Sequence, residues 1–243
     1  MFLSQDLLIS KADYPHPKIA KETKKYRTIG LGYTNLGALI MALALPYDSD
    51  EARNLAATIT TLMIGTAYKL SAEISSKLGP FPEYERNKET MMKVMKIHRD
   101  HLKKVKENEF NKEILEKAKE AWNEVIELGE KYGFRNAQAK VIAPMGTISF
   151  MIDADTAGVE PDFALVKMKQ LVGRGYMKIV NKTVSLALKR LGYSEEQIKD
   201  IVKHLEETQN IETAPHIKEE HLPVFDCAIN HREEKDILIG WGM

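Results

Sequence analysis

VIAPMGTISFMIDADTAGVEPDFAL, running from Val141 to Leu165, is the stretch on which the fold turns. It begins β-branched and apolar, breaks at Ala143-Pro144, and then presents Gly146, Thr147 and Ser149 before apolar residues resume. Residues 140–143 have the composition of a short strand, Pro-x-Gly makes a turn, and the residues beyond it suit a helix start. Backbone N–H groups at such a turn point outward unpaired and, with a helix dipole behind them, favour an anion. Gly146 lets a ligand approach the backbone, and the hydroxyls of Thr147 and Ser149 are neutral donors suited to orienting a phosphate. The same string also suits a strand that ends in an N-capped helix, with Thr147 or Ser149 as the cap. Local pattern alone favours the cap.

Working outward, most of the chain reads as helix. Residues 1–26 form a polar lead-in, and YPHPK (Tyr14 to Lys18) is expected to be non-helical, because each proline pushes its predecessor into extended geometry. RTIGLGYTNLGALIMALAL reads as a short extended piece entering a helix that Pro46 ends. The next helix takes Asp48 or Ser49 as its cap and stops at Gly79-Pro80, with Leu55, Ile59, Leu62, Met63, Leu70 and Ile74 at helical spacing. At ~1.5 Å per residue it is long enough to brace something larger than a small domain. Two amphipathic helices follow, from Asn87 to Val105 and from Asn111 to Gly133, and a helical pair flanks Gly192. The tail from Ala214 onward carries short apolar runs suited to strands. With no repeat and no flexible linker, residues 1–243 read as one α/β, predominantly helical domain.

The totals exclude several classes. Thirty-five basic side chains balance 35 acidic ones, which gives no support to nucleic-acid binding or to an acidic membrane surface. No apolar run approaches the ~20 residues of a membrane span, and the first residues lack the layout of a signal peptide, so a cytoplasmic location is expected. A single cysteine, Cys227, rules out an internal disulfide, a cysteine-built zinc site and dithiol chemistry carried by this chain alone.

Other motifs have plain readings. GLGYTNLG (Gly30 to Gly37) is one residue too long for a dinucleotide fingerprint and reads as a tight turn into a helix. His98 and His101, three apart in a lysine-rich helix, read as a solvated face, as do His216 and His221 around IKEE. DADTAGVEPD gathers Asp153, Asp155, Glu160 and Asp162 without EF-hand spacing, so it is either loop capping or a polar wall. KKVKENE and HREEKD read as solvated charge. No metal ligand set emerges.

Taken in order, these strings resemble a known family. YRTIGLGYTNLGALIMALALPYDSDEARNLAATITTLMIGTAYKLSAEISSKLGPF, then GFRNAQAKVIAPMGTISFMIDADTAGVEPDFALVKMKQLVGRG, then TAPHIKEEHLPVFDCA are similar to successive segments of the large catalytic chain of ribonucleotide reductases, especially the adenosylcobalamin-dependent (class II) group. The resemblance implies a partial section of a ten-stranded α/β barrel with a finger loop through its centre. It also implies thiyl-radical reduction of the ribose 2′-hydroxyl of a ribonucleotide. The family's phosphate-binding loop, Ala-Pro-Thr-Gly-Thr-Ile-Ser, falls on Ala143, Pro144, Met145, Gly146, Thr147, Ile148 and Ser149, which turns the balance from a simple cap to a phosphate cradle. Met145 stands where the family has threonine; a hydroxyl is lost and the backbone donors remain. GVEP resembles a family turn beside the substrate, so Gly158, Glu160 and Pro161 are expected in the substrate-site wall.

The family's radical cysteine lies in an Asn-x-Cys-x-Glu finger loop, and two further cysteines form its reducing pair. This chain carries no such motif, and Cys227 matches none of those roles, so no catalytic residue is expected here. The expected partners are a ribonucleotide and the missing N-terminal barrel section with the radical cysteine, together with self-association through exposed edges; adenosylcobalamin is expected in the full enzyme. The tail 229–243 is expected to be truncated relative to the family. The alternative from another functional class is a non-catalytic nucleotide-binding or interaction protein derived from the same barrel.

Overall fold

Capping chemistry and apolar spacing set the helices of the computed structural model, which describes residues 1–170 and 176–228. By internal contacts the chain divides into two compact units, Met1–Gly32 with Asn54–Ile142, and Tyr33–Arg53 with the chain from Ala143 onward.

The first unit is helical. The lead-in folds as α1 (Phe2–Lys11) and α2 (Pro17–Tyr26), with Phe2, Asp6 and Ile9 buried. Pro17 and Lys18, expected outside any helix, open α2: proline at the first helical position gives up an N–H that has no intrahelical acceptor anyway, and His16 caps the helix by accepting from Lys18 N. Helix α4 (Asp50–Leu78) has 29 residues, about 43 Å at ~1.5 Å each, and passes into this unit at Asn54. Ser49 caps it, its Oγ accepting from Ala52 N, and Gly79 (φ 77°) ends it. Helices α5 (Tyr84–His101) and α6 (Lys112–Tyr132) complete the bundle, and their buried faces meet α4 around Trp122, Tyr84, Phe81 and Phe134. Tyr84 lies edge-on to Phe81 and Phe134 at centroid distances of 5.5 and 6.3 Å. That ring stack leaves no room at Gly133, where an added Cβ would stand 2.5 Å from Tyr84 Cε1.

A buried polar hub ties α1 to this core. Arg27, in left-handed geometry (φ 50°), donates to Asp6 Oδ1 and to the Asp6 carbonyl, while Asn136 Nδ2 donates to Asp6 Oδ1 and to the Arg27 carbonyl. Ser71 Oγ in turn donates to Asn136 Oδ1. Every member is satisfied, which is the condition for burying charge without a large penalty. In the same unit residues 28–32 and 138–142 run side by side, joined by Ile29 N to Gln138 O, Val141 N to Leu31 O and a parallel bridge Leu31–Lys140.

The second unit begins with α3 (Leu36–Ala42). This helix stops before Pro46, the expected terminator, because Ala44 turns left-handed (φ 56°) and a Schellman pair forms, Leu45 N to Ile40 O and Ala44 N to Met41 O. After the turn come α7 (Thr147–Met151), an antiparallel hairpin of β1 (Val166–Gln170) and β2 (Tyr176–Val180), and the helices α8 (Thr183–Arg190) and α9 (Glu195–Thr208). The hairpin register runs from Val166 opposite Val180 to Gln170 opposite Tyr176. Val184, Leu188, Ile201, Leu205 and Phe225 centre the core. Ser194 and Gln197 form a reciprocal capping box on α9. Residues 219–225, where a strand was expected, make a 3-10 turn instead, since Pro223 cannot donate to a ladder.

The described residues are therefore rich in helix, as expected, but they do not display a ten-stranded barrel. Among the described residues, only the Leu31–Lys140 bridge is paired beyond the β1–β2 hairpin. A parallel pair forms a full ladder only when neighbouring strands and covering helices shield it, and closure requires every strand of the ring. The expected tail 229–243 and the HREEKD run lie outside the described residues.

Candidate functional site

The Pro-x-Gly turn at residues 143–149 lies in the second unit, and its helix is short. α7 has Gly146 as N-cap, without a side-chain cap bond, so neither Thr147 nor Ser149 plays that part. The Ser149 hydroxyl points inward and donates to Gly146 O at 2.6 Å, alongside Ser149 N to the same carbonyl at 3.0 Å. Ser149 thus braces the turn from beneath. The first amides of a helix have no intrahelical acceptor, and here they stand at an exposed surface: Ala143, Pro144 and Gly146 are open to solvent, Ile148 is 56% exposed, and nothing lies within 4 Å of a Cβ placed on Gly146.

The expected wall is adjacent. Met145 N donates to Ala157 O, and a Cβ on Gly158 would stand 3.3 Å from Pro144 Cα and 2.5 Å from Glu160 Oε2. Only glycine lets the Glu160 carboxylate and the back of the turn meet at that point. Glu160 Oε2 is shielded from solvent and accepts no hydrogen bond among the described residues. Pro161 is half-buried, and the structure brings Pro144 and Met145 against Ala157 and Gly158, with Glu160 beside Gly158.

Sequence reasoning missed what holds that wall. Thr34 Oγ1 donates to Thr156 O at 2.9 Å, Asn35 Oδ1 accepts from Thr156 N at 3.0 Å, and Leu36 N donates to Gly158 O at 3.2 Å. Tyr47 Oη donates to Val159 O, and burial, reinforced by Glu160 and Tyr33, pushes the Tyr47 phenol up. Gly37 faces Glu160 O, 2.7 Å from an added Cβ. The signal available in GLGYTNLG was its polar Thr34-Asn35 pair between Tyr33 and Leu36; the spacing suggested a tight turn, and tertiary contact explains Gly37.

The aspartates nearby are paired. Asp162, 3% exposed, meets Lys167 Nζ at 2.6 Å and accepts from Asn181 Nδ2 at 2.5 Å. Asp153 pairs with Lys182 Nζ at 2.6 Å. Burial raises the Asp155 carboxyl, opposed by the Lys182 amide and by Lys167. Cys227 is buried, and its thiol is pushed from 9.0 up to about 12, by burial first and then by the charge of Asp162. In the first unit His98 departs from the solvated face expected of it: it is half-buried and stacked on Trp122 at 5.6 Å, and burial, with Lys140 and His101, lowers its pKa. His216 pairs with Asp200, and His221 Nδ1 bonds Tyr193 Oη at 2.8 Å. Among the described residues no three His, Cys, Asp or Glu side chains stand close enough to hold a metal ion. No helix there is long and apolar enough to cross a membrane.

Comparison with known proteins gives these features a context. The model of the ribonucleotide reductase barrel domain matches residues 1–239. A vitamin B12-dependent ribonucleotide reductase of Rhodopirellula baltica is 51% identical over 227 residues, which cover 93% of this chain and 22% of that protein. The protein of that name in Streptomyces coelicolor is 51% identical over 230 residues, 94% of this chain and 24% of its own length. In Agrobacterium fabrum the figures are 41% over 227 residues, 87% and 18%. The chain spans less than a quarter of the length of these relatives.

Proposed function

The chain belongs to the ribonucleotide reductase barrel-domain family, and from that premise we propose that it supplies the substrate-phosphate cradle of a vitamin B12-dependent ribonucleotide reductase. The reaction would be reduction of a ribonucleotide to a deoxyribonucleotide, in an enzyme of which this chain is one section. The observation that carries the reading is the turn 143–149: exposed first-turn amides, an open face at Gly146 and a rigid base formed by Ser149 and Ala157. Main-chain N–H groups bind phosphate whatever side chain occupies Met145, so loss of the family's threonine hydroxyl is tolerable. The threonine identity at 147 adds a further donor to the set. Holding the phosphates fixes the ribose for chemistry performed by other parts of the enzyme, which lowers the barrier through orientation.

Cys227 takes no part in that chemistry. One thiol cannot be both radical carrier and reducing pair, and this one, 8% exposed, is shielded from any substrate at the surface. Adenosylcobalamin supplies the radical in enzymes of this kind. Neither of two clefts among the described residues of the second unit suits it: one of about 10 Å³ between Tyr47 and Asp162 has room for a water, and one of about 360 Å³ along α9, lined by Ile198, Val202, Glu195, Lys199, Lys203 and Glu206, is small for so bulky a group. No residue described here is assigned to the cofactor.

The test is calorimetric titration of the chain with a ribonucleoside diphosphate and triphosphate, alongside Thr147→Val and Gly146→Val. Losing one hydrogen bond to a charged phosphate corresponds to about a tenfold or greater weakening. If neither nucleotide binds, or if both variants bind as tightly as the parent, the cradle reading is wrong.

A further inference from the structure

The segment behind the turn is held from a distant part of the sequence. Residues 156–159 share a row of bonds with the residues that open α3 and with Tyr47 beyond its end. Thr34 Oγ1 donates to Thr156 O, Asn35 Oδ1 accepts from Thr156 N, Leu36 N donates to Gly158 O, and Tyr47 Oη donates to Val159 O. Thr156 Oγ1 returns the contact by accepting from Ala38 N at 3.4 Å. Asn35 adopts left-handed geometry (φ 72°) as the N-cap of α3, yet its side chain makes no cap bond. An asparagine at such an N-cap would ordinarily accept from its own helix. Here the acceptor is turned across to Thr156 instead, and the left-handed backbone is one that asparagine tolerates better than most residues.

The phosphate turn rests on this segment. Its main-chain anchors are Met145 N to Ala157 O and the packing of Pro144 on Gly158, 3.3 Å from an added Cβ. Movement of 156–160 therefore moves the base on which Pro144 and Met145 sit. The turn has little of its own to hold it, since α7 is five residues long and an isolated helix of that length is unstable.

We propose that Thr34 and Asn35 are positioning residues for the phosphate turn, holding residues 156–160 so that the amides of 146–148 keep the spacing a phosphate requires. The proposal rests on the reading of 143–149 as a phosphate cradle, and it assigns to GLGYTNLG a role that its glycine spacing does not express. Neither residue touches the phosphate. Gly37 belongs to the same device: an alanine there would meet Glu160 O at 2.7 Å and push the wall away.

Two readouts separate the inference from the reading beneath it. The first is amide hydrogen exchange of peptides covering 143–150 in the chain without ligand; the second is calorimetric affinity for ADP. Asn35→Gly keeps the left-handed backbone and removes the acceptor, whereas Asn35→Asp keeps an acceptor; Thr34→Val and Thr34→Ser make the matching pair. Asn35→Gly and Thr34→Val are expected to speed exchange in 143–150 selectively and to weaken ADP about five- to tenfold. Asn35→Asp should restore protection, and Thr34→Ser should restore both protection and affinity. Unchanged exchange in 143–150 for both Asn35→Gly and Thr34→Val overturns the proposal, as does faster exchange spread evenly over the whole second unit. If exchange responds as expected but the parent chain binds no ADP, the positioning role stands and the cradle reading falls. Should Asn35→Gly not fold, Tyr47→Phe removes the bond to Val159 from the far end of the segment and is read in the same way.

Discussion

Cys227 is the residue whose surroundings most clearly fix its behaviour. Its thiol titrates at about 12 in the folded chain against 9.0 ordinarily, because burial removes water and Asp162 adds like charge, with Lys167 opposing. At pH 8 a group of that pKa is thiolate in only about one molecule in 10⁴. Iodoacetamide should therefore leave the native chain almost untouched at pH 8 and label it promptly once urea unfolds it; fast labelling of the native chain would contradict the burial. The linkage sign follows from the raised value. Stability from this group is fully present below pH 9, where both states keep the proton, and is lost as pH rises toward 12. Ala44 gives a second prediction at this scale. Its left-handed φ of 56° closes the Schellman motif of α3, a place where glycine carries no Cβ penalty. Ala44→Gly should raise stability by about 0.5 kcal/mol in a thermal melt, the relief of left-handed strain outweighing the extra freedom of the unfolded chain.

Among the elements, α1 depends on its polar hub. Its apolar contribution is Phe2 and Ile9; Leu3, Leu7 and Leu8 are half exposed or more. What fastens it is the Asp6–Arg27 pair at 2.8 Å, with side chains 4% and 5% exposed, completed by Asn136. Arg27→Met leaves the Asp6 carboxylate buried without its cation, which should cost about 3–5 kcal/mol in urea unfolding. Combining Asp6→Leu with Arg27→Met removes both charges and should recover most of that loss. If the double variant were no better than the single one, the hub would be shaping the αL turn at Arg27 rather than balancing charge.

For the whole molecule, the exposed apolar residues define the expectation. Ile148, Met151, Ile152 and Phe163 in the second unit are 50–81% exposed, close together in sequence around the proposed cradle. A cluster of that kind on a soluble surface marks contact with another surface. The matched section is less than a quarter of the relatives' length, so in those proteins over three quarters of the polypeptide lies outside it and could cover such a surface. In isolation the chain should self-associate as its concentration rises in sedimentation velocity, and Met151→Lys with Phe163→Lys should suppress this. A boundary that stays monomeric at all concentrations would remove the basis for expecting a covering partner.

The helices were written in the sequence because each depends on signals only a few residues apart: Ser49 before α4, the Ser194–Gln197 box on α9, Gly133 after α6. The turn 143–149 was legible for the same reason, as a Pro-x-Gly string whose geometry is local. Three things were decided only by tertiary contact. The turn 143–149 proved to rest on Ala157, whose carbonyl accepts from Met145 N across the intervening loop. His98 left the solvated face because Trp122, on another helix, offered a ring to stack on. And Thr34 and Asn35 bond Thr156, more than 120 residues away, a pairing that no local period or propensity encodes. The sequence by itself determined the long helices α4, α5 and α6, the Ser49 cap and the Pro-x-Gly break, since these depend on neighbours along the chain. Where the turn is held, and by what, was left to the folded structure, because hydrogen bonds across such separations exist only once the core has brought both segments together.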